Sequence, residues 1–68
     1  MTPEQFKSWR DEMGFTQAEA AEALGVSKGT VRNYEIGARR EDGRAVVIPK
    51  TVALACAAVS AGLRPVGE

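Results

Sequence analysis

Hydroxyl residues and glycines divide the first half of this sequence into helices before any hydrophobic pattern is consulted. Thr2-Pro3-Glu4-Gln5 places a capping hydroxyl, a proline at the first helical position and a glutamine at the third in the order that opens a helix. Phe6, Trp9 and Met13 follow at helical spacing, so residues 3–13 read as an amphipathic helix that Gly14 ends. Thr16-Gln17-Ala18-Glu19 repeats the capping pattern and opens a second helix over about 17–24, which Gly25 ends. Ser27 caps a third helix over about 28–36, with Val31 and Tyr34 three apart on its inner side.

Beyond Ile36-Gly37 the chain is polar and charged as far as Gly43. Asp42-Gly43 is a tight-turn signal and Arg44 to Ile48 is β-prone, so 38–48 is expected as a loop able to close into a short hairpin. Pro49 starts a last helix, which Gly62 stops and Pro65 prevents from resuming. The expected fold is all-α: a compact bundle of four or five helices over residues 1–62, followed by a flexible tail over 63–68.

Sixty-eight residues make one domain with a thin core. One cysteine, Cys56, and no histidine leave no internal disulfide and no His/Cys zinc site, so no metal or cofactor is expected. Cys56 stands among alanines and valine, a setting for a small core residue more than for a reactive thiol. Residues 1–5 lack the basic start and apolar run of a secretory leader, and the Val52–Val59 stretch is too short to span a bilayer. A cytoplasmic protein without a membrane partner is expected. Catalysis is not expected either: there is no histidine, no glycine-rich phosphate loop, and no serine or cysteine with a base in view. No small-molecule ligand is evident.

Net charge is zero, but it is unevenly distributed. Residues 1–27 set two cations against five carboxylates, whereas residues 28–50 set six cations against three. A polyanion responds to such a local patch and not to the total. With Val31 and Tyr34 inward, the third helix turns Lys28, Gly29, Arg32 and Asn33 outward. Arginine pairs bidentately with guanine and asparagine with adenine, while lysine serves guanine or phosphate. A merely solvated helix face is the bland alternative. The three-residue turn Gly25-Val26-Ser27, which fixes a large angle between two short helices, weighs against it.

Thr16-Gln17-Ala18-Glu19-Ala20-Ala21-Glu22-Ala23-Leu24-Gly25-Val26-Ser27, then Thr30-Val31 and Tyr34-Glu35-Ile36-Gly37, resembles the Cro/C1-type helix-turn-helix regulators of phages and bacteria over about residues 6–59. The resemblance implies a transcriptional regulator, a repressor by expectation, bound to a palindromic double-stranded DNA operator as a homodimer. It implies base-edge contacts from Lys28, Gly29, Arg32 and Asn33, backbone contacts from Gln17, Ser27 and Thr30, and an ion pair between Arg10 and Glu35. Two features depart from the family: Gly29 stands where a base-reading side chain is common, and the Arg39–Val47 link is longer than usual. Arg39, Arg40 and Arg44 around the Asp42-Gly43 turn, with Lys50 beyond, are candidate contacts to the sugar-phosphate backbone. A mobile surface loop is the alternative.

The fourth helix is apolar almost all round, more than so small a chain can cover. Val52, Leu54, Ala55, Cys56, Ala58, Val59 and Leu63 are therefore the expected dimer interface, the alternative being a helix packed only on its own core. The competing function is an antitoxin or adaptor module that binds a partner protein through the same fold.

Overall fold

A computed structural model describes residues 1–68 as four helices: α1 (Pro3–Met13), α2 (Gln17–Leu24), α3 (Lys28–Ile36) and α4 (Lys50–Ser60). The caps operate as the sequence implies. Thr2 and Thr16 each accept the amide three residues on, at 3.1 Å, while Gln5 and Glu19 reach back to the capping residues' own amides. Gly14 and Gly25 adopt left-handed backbone, φ 70° and 72°, which any other residue reaches only with strain. The α2–α3 turn depends on that conformation at Gly25.

α3 packs on both α2 and α1, and α4 closes over α2. Eight residues form the core: Phe6, Trp9, Ala20, Ala21, Val31, Tyr34, Ile48 and Cys56. Ala20 and Ala21 let α2 sit close against its neighbours, while the ring of Phe6 lies 5.6 Å from both Trp9 and Tyr34. A buried aliphatic or aromatic side chain is worth about 1.5–3 kcal/mol, and three of these eight are only Ala or Cys. Polar ties between helices therefore carry a visible share of the stability. The Trp9 indole N–H, shared between the Cys56 carbonyl at 3.1 Å and the Ser60 hydroxyl at 2.9 Å, binds α1 to α4.

The connection between α3 and α4 does close as a short hairpin. Ala38 and Ala45 form an antiparallel bridge; the Arg39 amide donates to the Arg44 carbonyl at 2.8 Å and the Val46 amide to Gly37 at 3.0 Å. Its exit alternates: Val46 is half-buried, Val47 is 83% exposed and Ile48 is buried. Ile48 thus pins the hairpin to the core.

Two details differ from the sequence-based reading. Pro49 is the N-cap of α4, with ψ 152°, and the helix starts at Lys50. Cys56 is 2% exposed and belongs to the core, as its apolar setting implies and against its place among the expected interface residues, and Val52 and Val59 also pack against the core. The large apolar residues that α4 and the segment after it leave exposed are Leu54 at 60%, Leu63 at 66% and Val66. Burial pushes the Cys56 thiol above its ordinary range, which keeps it protonated. No helix is long and apolar enough to cross a membrane.

Candidate nucleic-acid interface

The orientation of α3 is fixed from both ends. At its start, Ser27 accepts the Thr30 amide at 3.0 Å, and the two hydroxyls are 2.8 Å apart. One proton of that hydroxyl pair joins them and the other is left for an outside acceptor. Near its end, Glu35 accepts both Nε and Nη2 of Arg10, at 2.5 and 3.0 Å, while Arg10 Nη1 donates to the Phe15 carbonyl at 3.0 Å. The expected Arg10–Glu35 pair therefore exists, as a two-pronged bridge from α1 to α3. The hydrogen bonds to Glu35 raise the Arg10 pKa further above its ordinary value, outweighing the desolvation that lowers it.

With Val31 and Tyr34 buried, α3 turns its opposite face outward. That face and the hairpin form the two walls of an open groove of about 550 Å³. Ser27, Gly29, Thr30, Arg32 and Asn33 line it from the helix, and Arg39, Arg40, Glu41 and Val46 from the hairpin. The long link between α3 and α4 is thus a wall of the same concavity that holds the base-reading candidates.

Of the residues expected to touch DNA, seven meet at this groove. Lys28, Gln17, Arg44 and Lys50 do not line it. Lys28 and Lys50 are exposed at the first positions of α3 and α4. Gln17 is half-buried at the start of α2, its amide 3.5 Å from Glu35. Glu41 and Val46 line the groove without having been singled out in the sequence, and Tyr34, expected on the inner side of the helix, also lines it. Only the register of the hairpin, which composition does not specify, brings Glu41 and Val46 there.

The cations fall into two groups. Arg10 is tied to Glu35; Arg39 lies 3.7 Å from Glu41 and 3.9 Å from Asp42, and Arg44 lies 3.5 Å from Asp42. By contrast, Lys28, Arg32, Arg40 and Lys50, like Lys7 and Arg64 elsewhere, form no ion pair, and the side chains of Lys28, Arg32, Asn33 and Arg40 form no hydrogen bond within the chain. α3 also has no acidic residue in its first turn. An outward face of unpaired donors beside a positively polarised helix start suits an anionic, acceptor-rich surface.

Such a projecting helix, held by a glycine-first turn and carrying free donors, defines a DNA-binding helix-turn-helix domain. A family model for helix-turn-helix proteins matches residues 6–41, more than half of the chain and the whole of α2, α3 and the bridge between Arg10 and Glu35. The chain belongs to the Cro/C1-type helix-turn-helix family of DNA-binding transcriptional regulators. Comparison with curated proteins and with solved structures finds no match.

Proposed function

We propose that the protein is a sequence-specific repressor that binds a palindromic operator as a symmetric dimer and acts by occupying that DNA. The supporting observation is the segregation on α3: Val31 and Tyr34 are buried, while Lys28, Arg32 and Asn33 are directed outward with no partner in the chain. In this reading α3 enters the major groove with Lys28, Gly29, Arg32 and Asn33 at base edges. Gln17, Ser27, Thr30, Lys50 and the hairpin arginines Arg39, Arg40 and Arg44 meet the flanking phosphates.

Dimerisation is supported by a second, mostly apolar groove of about 340 Å³ between α2 and α4, lined by Leu24, Ala55, Ala58, Val59, Leu63 and their neighbours. Leu54 is exposed beyond it on α4. The molecule measures 35 × 24 × 20 Å, so two copies side by side can present α3 helices about 34 Å apart, one turn of DNA.

Selection of bound sites from random DNA, followed by footprinting and a solution-mass measurement, tests the proposal. A palindromic consensus, a dimer mass, and affinity that falls steeply with salt are expected. Leu54→Glu and Ala58→Glu should remove dimer mass and palindrome binding together. A protein that enriches no DNA sequence, yet captures a protein partner with little salt dependence, would instead be an adaptor or antitoxin module.

A further inference from the structure

Gly29 is the one residue of α3 without a side chain, and nothing inside the protein requires that. Its backbone is not in the left-handed region, and a Cβ built on it would meet nothing nearer than the Ser27 hydroxyl at 3.9 Å, an ordinary contact. Alanine would fit and, in a helix, would be more stable, because glycine loses more backbone freedom on folding. Gly29 is also the second residue of the helix, too early for its amide to find a carbonyl four residues back. Ser27 spends its capping bond on Thr30, and the Gly29 amide has no acceptor anywhere in the chain. This bare, unbonded stretch of backbone lies at the groove between Arg32 and Asn33 on one wall and Arg40 on the other.

We propose that Gly29 is a clearance position: an acceptor atom of the DNA comes against the backbone of α3 there, closer than any side chain would permit, and takes the Gly29 N–H. The inference rests on the DNA-binding reading above and adds to it how one position works. It assigns Gly29 to recognition by absence, where the neighbouring Arg32 and Asn33 act by what they carry. The acceptor is a phosphate oxygen or a purine O6 or N7, and both make the same bond.

Gly29→Ala tests this directly, since alanine keeps the N–H and adds only a methyl group. The melting midpoint should rise by roughly 2–4 °C, while affinity for the selected site should fall by about tenfold or more. An equal loss on random DNA identifies a phosphate oxygen; a loss confined to the selected site, with one base position relaxed, identifies a purine acceptor. A variant that is more stable and binds the selected site as tightly as the parent overturns the clearance role while leaving the DNA-binding reading intact. A lowered melting midpoint overturns the premise that the fold does not need glycine here. Failure of the parent protein to enrich any site would remove the DNA-binding reading itself, whatever Gly29→Ala does.

Discussion

Replacing Arg10 by alanine removes the two hydrogen bonds to Glu35 and the one to the Phe15 carbonyl. At full strength each bond to a charged group is worth about 1.5–3 kcal/mol, but simple addition overshoots, because water can reach part of the site. The side chains of Arg10 and Glu35 keep 15% and 8% of their exposure. Breaking a buried pair costs about 3–5 kcal/mol and an exposed one about 0–1 kcal/mol; these exposures put the pair nearer the buried limit, at about 2–3 kcal/mol. A domain of this size has about 3–10 kcal/mol in all, so Arg10→Ala should remove a large fraction of it. Urea unfolding followed by fluorescence of Trp9, the chain's one tryptophan and a core residue, reads the loss. Glu35→Gln should cost less, since the amide oxygen can still accept from Arg10. In a cycle of Arg10→Ala, Glu35→Ala and the double variant, the coupling should be about 1.5–2.5 kcal/mol. A coupling below about 0.5 kcal/mol would show that the bridge behaves as a solvated surface pair and does not hold α3.

Arg32→Ala and Asn33→Ala should each cost about 1–3 kcal/mol on the selected operator and relax one or two base positions, with little change on random DNA. Equal losses on both DNAs would rule out base reading. In the hairpin, Arg40→Ala should flatten the plot of log affinity against log salt by about one unit. Glu41→Gln with Asp42→Asn should steepen it, by freeing Arg39 and Arg44 for phosphate; an unchanged slope in both variants would take the hairpin off the DNA. For Cys56, burial raises the folded-state pKa, so its contribution is fully present below the unfolded value of about 8.5 and is lost as pH rises from there through the folded value. Urea midpoints should fall across that alkaline window, less so in Cys56→Ala, and a matching fall in both would refute the assignment.

The sequence disclosed the first three helices almost to the residue, because their limits are set locally: a hydroxyl before each, and a glycine in left-handed backbone behind α1 and α2. The inward pair Val31 and Tyr34 followed from helical periodicity, and the outward face of α3 from the same geometry. What stayed hidden depends on non-local packing. Ile48 ends a β-prone stretch of the expected loop with no clear alternation in the sequence, but the bridge between Ala38 and Ala45 sets one that drives it into the core. Cys56 reads both as a small core residue and as part of the interface, because in an all-apolar helix the sequence does not say which face meets α2; that is decided by the whole bundle. Charge counting had the same weakness. It gave residues 28–50 six cations without showing that Arg39 and Arg44 stand beside carboxylates of their own hairpin.

That internal pairing bears on how a protein with no net charge can select a site on a polyanion. Lys28, Arg32 and Arg40 are the unpaired cations of the α3 face and the hairpin, and Arg32 sits with Asn33 where base edges are proposed to be read. Few positive charges on these two elements then remain for phosphate. Non-specific affinity comes almost wholly from such phosphate contacts, so a small number of them keeps binding to random DNA weak. Specific binding must then draw more heavily on base edges. Glu41 and Asp42 lie 3.5–3.9 Å from the exposed Arg39 and Arg44, so those arginines reach phosphate only by leaving pairs inside the hairpin, at a cost of about 0–1 kcal/mol each that weighs on every sequence alike.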